Sequence, residues 1–314
     1  MSTTGWMSAC RTSTVRLNRV CPYLVLLVLS CASAHAASSC KLVKIVEWEV
    51  KPQGGRLVVD GAINGHKEDI LLDTGAATSF VTRDAADRLG LPRNESDTYL
   101  SSTRSQSSAI TGESRKQFAT IDELKIGTAA RKNWRALVLN ERDLPYAFLL
   151  GYDFFEQMDI EFDLANNAVR VFQAFDCAGV PLAYWARGAG EVKLETDNEN
   201  PGIVVAVKLN GKPFIAGLDT GASHSVVSRL LAANLGTFES FGIGDELIRN
   251  PTIGIANLEV AALSTGSRLA AAREPRDMLL GVDFLRAHRV LVAHSQRKVY
   301  FTYVGGPVFT SARP

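Results

Sequence analysis

The tripeptide Asp-Thr-Gly occurs twice, at Asp73-Thr74-Gly75 and at Asp219-Thr220-Gly221. Each copy ends an apolar run, Ile70-Leu71-Leu72 or Ala216-Gly217-Leu218, and each is followed by Ala76 or Ala222 and a Ser/Val-rich stretch. A carboxylate at the end of a buried strand is costly unless something pairs it or uses it. Two carboxylates in equivalent places constrain the fold to one in which they meet.

The equivalence extends well beyond the tripeptide. An ungapped offset of 146 (219 − 73) aligns Leu57–Leu89 with Ile203–Leu235. Both segments begin with a strand-like run and then carry Asn-Gly, at Asn64-Gly65 and Asn210-Gly211. Asn-Gly between apolar runs predicts a hairpin, because both turn positions tolerate positive φ. A second strand enters Asp-Thr-Gly, whose glycine permits a tight turn. A short strand follows, then a helix over Arg83–Leu89 or Arg229–Leu235 that meets Gly90 or Gly236 as a C-terminal cap. A second block repeats at an offset of 130 (281 − 151), matching Leu149-Leu150-Gly151-Tyr152-Asp153-Phe154-Phe155 with Leu279-Leu280-Gly281-Val282-Asp283-Phe284-Leu285. Strand pairs close each repeat, Ile160–Phe162 with Val169–Phe172 and Val290–Val292 with Val299–Tyr303. These limits predict lobes over residues 54–174 and 201–304, a linker over 175–200, and a tail over 305–314.

The chain of 314 residues is long enough for two lobes with real cores. Its net charge of +1 gives no basic face for nucleic acid or an anionic membrane. Residues 1–36 read as a signal peptide. Arg11, Arg16 and Arg19 precede an apolar core, Tyr23–Leu29, too short to span a bilayer, and Ala34-His35-Ala36 has the small-x-small form of a cleavage site. The chain is therefore expected to be exported, periplasmic or secreted. The alternative is a lipoprotein anchored through Cys31, which Val28-Leu29-Ser30-Cys31 fits imperfectly. Cleavage removes Cys10, Cys21 and Cys31 and leaves Cys40 and Cys177, an even count in an oxidising compartment. A Cys40–Cys177 disulfide is expected, with two free buried thiols as the alternative. The N-terminal extension, residues 37–53, has a strand-like pattern over Lys41–Val50. It reads as an edge strand or as packing against the lobes rather than as a prosegment.

Asp-Thr-Gly-Ala after an apolar strand, followed some way on by two apolar residues and Gly, resembles the retropepsin-like and pepsin-like aspartic proteases. The resemblance covers both lobes. It implies a mainly β, two-lobed acid protease fold, with two tandem β-barrel lobes related by a pseudo-twofold axis. It implies that Asp73 and Asp219 form the catalytic pair. Thr74 and Thr220 would bind the two loops together, Gly75 and Gly221 would let the backbones approach, and the Leu-Leu-Gly blocks would pack against the loops. Both halves in one chain imply a monomer with a pseudo-dimeric site; pairing of equivalent lobes from two chains is the alternative assembly.

The copies differ where a flap belongs. From Asp73 to Gly151 is 78 positions (151 − 73), but from Asp219 to Gly281 only 62 (281 − 219). The shortfall is expected between the helix and the Ile-Gly pairs at Ile126-Gly127 and Ile253-Gly254. One flap is therefore predicted, from the first lobe, with Ile110-Thr111-Gly112 at its tip and a disordered Ser-rich loop as the alternative.

Two adjacent carboxylates cannot both ionise cheaply, so the pair holds one proton over a broad acidic range. Such a pair can activate water and polarise a peptide carbonyl. No cofactor is needed, and the five histidines show no metal-ligand spacing. No Gly-x-Ser-x-Gly elbow supports a serine hydrolase. The expected function is an aspartic endopeptidase acting on peptide or protein substrates. The alternative is a non-catalytic peptide-binding envelope protein on the same fold.

Overall fold

The computed structural model describes residues 40–53, 55–96, 116–196, 202–258 and 276–310. Residues 1–39, with the expected signal peptide and Cys31, and the expected flap tip Ile110-Thr111-Gly112 lie outside them. The first half runs β1 (Lys41–Gln53), β2 (Arg56–Ile63), β3 (His66–Leu72), β4 (Phe80–Thr82), α1 (Arg83–Arg88), β5 (Arg93–Ser96), β6 (Lys116–Ile126), β7 (Ala129–Leu139), β8 (Phe148–Leu150), α2 (Tyr152–Phe155), β9 (Asp159–Asp163) and β10 (Ala168–Phe175). The second runs β11 (Gly190–Lys193), β12 (Val204–Leu209), β13 (Lys212–Leu218), β14 (Val226–Ser228), α3 (Arg229–Leu235), β15 (Ser240–Ile243), β16 (Glu246–Arg249), β17 (Gly254–Ala256), β18 (Met278–Leu280), α4 (Val282–Ala287), β19 (His288–Ala293) and β20 (Lys298–Tyr303).

The architecture is mainly β, and its two lobes repeat one pairing plan. The β2–β3 and β12–β13 hairpins turn at Asn64-Gly65 and Asn210-Gly211, all four residues at positive φ. β3 and β13 then pair in parallel with β8 and β18, in matching register: Leu72 opposite Leu150 and Leu218 opposite Leu280. β8 and β18 run antiparallel to β4 and β14, which in turn pair in parallel with β7 and β17. Thr82 and Ser228 cap α1 and α3 through their hydroxyls, which accept from the N–H groups of Ala85 and Leu231. Gly90, at φ +60, follows α1, and Gly236, at φ +73, caps α3.

The lobes share the strands β11-β20-β19-β9-β10-β1, one part of a continuous 13-stranded sheet, centred on the antiparallel pair β9–β19 with Glu161 opposite Leu291. The ends of that part come from the N-terminal extension and from the segment between the lobes. β1 pairs along its first part with β10 and at Val50–Gln53 with β2. Its Val46, Trp48 and Val50 alternate into the core, and a register shift between Lys44 and Val46 leaves Val43 and Ile45 exposed. In the segment between the lobes Gly190–Lys193 forms β11 on β20, just as β1 flanks β10. Earlier in that segment Trp185 donates to Thr302 at 2.8 Å, and the Gln296 amide donates to the carbonyls of Cys177 and Val180.

Buried ions cross the same sheet. Glu161, fully buried, accepts from Arg170 of its own lobe at 2.5 Å and from Arg289 of the other at 3.0 Å. Arg289 also lies 4.6 Å from the centroid of Trp185. Asp159 accepts from the N–H and hydroxyl of Ser295 across the lobes. The main hydrophobic core is one contiguous cluster running through both lobes, from Phe148, Phe155 and Phe162 to Phe241 and Phe284.

Pairing register also revises where the lobes diverge. Ile63 pairs with Leu124, and its counterpart Leu209 pairs with Phe241. Ile126-Gly127 therefore corresponds to Ile243-Gly244, with both glycines at positive φ, and not to Ile253-Gly254. Gly254 pairs with Val226 as Leu137 pairs with Phe80. An Ile-Gly pair is too short to fix an alignment; the hydrogen-bonded ladder fixes it. From Asp73 to Gly127 is 54 positions (127 − 73), against 25 from Asp219 to Gly244 (244 − 219). The shortfall before the turn is thus 29 (54 − 25), larger than the 16 (78 − 62) implied by the Leu-Leu-Gly blocks. It corresponds to β5, the first half of β6 and the residues between them. β5 and β6 form an antiparallel hairpin, Ser96 opposite Lys116. In the second lobe only Gly236–Glu239 separate α3 from β15, too few for a hairpin.

Cys40 and Cys177 are joined by a disulfide across a sequence separation of 137. It fastens the start of β1 to the segment after β10. Closing so long a loop restricts the unfolded chain, so reduction or Cys40→Ser is expected to lower stability by about 2–5 kcal/mol. Urea midpoints with and without reductant check this; coincident midpoints would show that the bridge contributes nothing.

Candidate active site

The two Asp-Thr-Gly loops start where β3 and β13 end. Asp73 N–H donates to the Leu150 carbonyl at 3.0 Å and Asp219 N–H to that of Leu280 at 2.9 Å, so each loop is hung from its own Leu-Leu-Gly block. The threonines then join the loops. Thr74 Oγ1 accepts from Thr220 N–H and donates to the Leu218 carbonyl. Thr220 Oγ1 accepts from Thr74 N–H and donates to the Leu72 carbonyl. All four bonds are 2.8–3.0 Å, and both threonines are fully buried. The arrangement satisfies the N–H groups of Thr74 and Thr220 and the carbonyls of Leu72 and Leu218.

Gly75 and Gly221 bring each backbone against the opposite aspartate. A Cβ at Gly75 would fall within the Asp219 carboxylate, and one at Gly221 would lie 2.6 Å from Asp73 Oδ1. The two acids consequently sit together, each against the backbone of the other's loop. Asp73 Oδ1 accepts from the N–H groups of Gly75 and Ala76, and Asp219 Oδ1 from that of Gly221. Asp73 Oδ2 is buried with no protein hydrogen-bond donor. Burial first, and the Asp219 charge second, push Asp73 up to about 8. Burial also raises Asp219, opposed by the Gly221 N–H and by the charge of Arg276. The pair therefore retains a proton at pH values where ordinary carboxyls are ionised.

Behind each loop stands a support that sequence reasoning missed. Asp153 Oδ1 accepts from the N–H and hydroxyl of Ser79, and Ser79 Oγ accepts from Gly151 N–H. Asp283, Ser225 and Gly281 repeat the arrangement at 2.8, 2.6 and 3.0 Å. The signal was present: the serines repeat at the first offset and the aspartates at the second. Gly151 and Gly281 are required because a Cβ there would lie 2.7 Å from backbone of Thr78 and 2.6 Å from that of His224. His224 is outside the dyad, with Nδ1 3.0 Å from Thr310 Oγ1. Among the described residues no group of His, Cys, Asp and Glu forms a metal-ligand set, and no helix is long and apolar enough to cross a membrane.

Residues 59–157 match the family model described as gag-polyprotein putative aspartyl protease. The match covers the Asp73 loop, β5–β6 and the Leu149-Leu150-Gly151 block, all within the first lobe. No curated protein matches the chain. A retropepsin-like aspartic protease from Rickettsia conorii is similar over 43% of this chain and 95% of its own, at 21% identity and a TM-score of 0.31.

Folding raises the Asp73 pKa from 3.8 to about 8, so the folded chain holds a proton that the unfolded chain releases. The stability tied to that proton is complete below the unfolded value and is lost as pH rises through the folded one. Asp73→Asn cannot ionise. Its stability relative to the parent should therefore climb between about pH 4 and pH 8 and level off above. Urea unfolding across that range checks this; a pH-independent difference would mean that Asp73 is not raised. Thr74→Val and Thr220→Val, each stranding a buried N–H and a carbonyl, should each cost about 2–4 kcal/mol in the same assay.

Proposed function

We propose that this chain, retropepsin-like in its first lobe, is an aspartic endopeptidase whose single site is formed by Asp73 and Asp219 of one polypeptide. The observation that carries the reading is the pair of buried, adjacent carboxyls where the two lobes meet. The ionised member takes a proton from water as that water attacks the scissile carbonyl. The protonated member polarises the carbonyl oxygen. The intermediate collapses with a proton delivered to the leaving amine. The carboxyls and water supply this chemistry, with the threonine-linked loops fixing their separation.

An extended peptide is the substrate class that suits a site between two β lobes. The β5–β6 hairpin of the first lobe would close over it from one side, which makes substrate binding directional. We further propose that the chain acts as an exported monomer, the N-terminal segment supplying the export signal and the two lobes supplying what two chains would otherwise contribute.

Digestion of an unbiased peptide library tests the reading. Asp73→Asn and Asp219→Asn are each expected to lower kcat/KM by at least about 10²–10⁴-fold, the usual contribution of general acid–base catalysis. Activity should fall on the alkaline side as Asp73 loses its proton near pH 8. Undiminished cleavage by either variant would overturn the shared site. Binding of a statine-type peptide without any cleavage would identify a binding module instead.

A further inference from the structure

Two equivalent positions beside the dyad carry different chemistry. Thr82 N–H donates to the Ala147 carbonyl in the first lobe, and Ser228 N–H to the Asp277 carbonyl in the second. The residues just before those carbonyls, Tyr146 and Arg276, are pseudo-twofold equivalents. Tyr146 packs in a buried apolar cluster with Leu71, Phe80, Leu137 and Leu149. The corresponding residues of the second lobe are Gly217, Val226, Gly254 and Leu279. Arg276 lies directly against Gly217: a Cβ there would come 2.8 Å from its Cδ and overlap Nη1. Gly217 stands two residues before Asp219, and residues i and i+2 of a strand share a face. The guanidinium is therefore laid along the face that presents Asp219. In the first lobe the Leu71 side chain occupies that position.

We propose that Arg276 is a positioning residue that makes the dyad electrostatically asymmetric, holding the negative charge on Asp219 and leaving the shared proton on Asp73. The proposal rests on the catalytic reading above and adds to it which acid does what. A cation beside one carboxylate favours that carboxylate's ionised form. Its counterpart Tyr146 is a neutral phenol, raised by burial to about 12, and so supplies no opposing charge. Among the described residues, the charged or titratable groups facing the pair are few. Arg276 faces Asp219, Tyr146 faces Asp73, Arg56 and Glu141 face Tyr146, and Tyr152 faces Arg276.

The roles follow. Asp219 takes a proton from water as the water oxygen bonds to the peptide carbon. Asp73 gives its proton to the carbonyl oxygen, completing a gem-diol. Asp219 then passes its proton to the amide nitrogen as the C–N bond breaks, and Asp73 recovers a hydroxyl proton as the carboxylic acid product forms. Both acids end in their starting states.

Carboxyl 13C NMR titration separates this from a structural role, because it needs no turnover. In Asp73→Asn only Asp219 of the pair titrates. Adding Arg276→Met or Arg276→Gln should raise its pKa by about one to three units, and adding Arg276→Lys should leave it near the starting value. In Asp219→Asn, the same changes at Arg276 should move Asp73 far less. In the otherwise unaltered enzyme, Arg276→Met should shift the acid limb of the kcat/KM–pH profile upward, with Lys restoring it and Tyr146→Phe leaving it in place. An Asp219 titration indifferent to the charge at position 276, in either neutral variant that folds, overturns the proposal. An inactive parent enzyme that still shows the charge-dependent titration would instead overturn the catalytic reading and leave the electrostatic asymmetry standing.

Discussion

Thr74 and Thr220 each bond to the backbone of the opposite loop, and the position of every other group at the site follows from those four hydrogen bonds. Each hydroxyl accepts from one N–H and donates to one carbonyl, so neither loop can move away without stranding buried polar groups. With the loops locked back to back, Gly75 and Gly221 bring each backbone against the other lobe's carboxyl. That contact requires residues without Cβ, and the sequence has glycine at both places. The raised acidity range of the pair is a consequence of this closeness and burial rather than of any separate device. The outer sheet acts on the same coordinate: β9 paired with β19, and Glu161 held by arginines from both lobes, keep the lobes from sliding past each other.

The pseudo-twofold plan was legible because its markers are local and chemically demanding. Asn-Gly turns, Asp-Thr-Gly loops and Leu-Leu-Gly blocks each need particular residues at particular backbone conformations, so they survive in both halves and align by eye. Ser79–Asp153 and Ser225–Asp283 were equally periodic, but a serine and an aspartate 74 and 58 residues apart announce a hydrogen bond only once the chain is folded. The extent of the divergence was misread for a related reason. Ile-Gly recurs at Ile126, Ile243 and Ile253, and only the ladder from β2 to β6 and from β12 to β15 says which pair is equivalent. The strand pattern of β1 is legible over Lys41–Val50, but the neighbours of β1 and β11 are set by tertiary pairing. The alternation over Val46, Trp48 and Val50 reveals a buried face but not whether both edges are bonded.

Joining the lobes in one chain changes what the site can become. In a dimer of identical chains the two aspartates have identical surroundings, and any difference between them has to come from the substrate. Here the surroundings have diverged on both levels that matter. Among the described residues, the β5–β6 hairpin is found in the lobe of Asp73 and has no counterpart between α3 and β15 of the other. Leu71 and Tyr146 make the first lobe's flank apolar, while Gly217 gives the second lobe room for a guanidinium at the same place. The second difference depends on the first kind of freedom: a cation at position 276 of a symmetric dimer would appear beside both acids and favour ionising both, removing the proton that the reaction uses. A single Arg276 lowers one acid relative to the other and leaves the pair's shared proton in place. The proposed asymmetry of charge depends on the two halves being one polypeptide, because only then can a cation stand beside one acid and not the other.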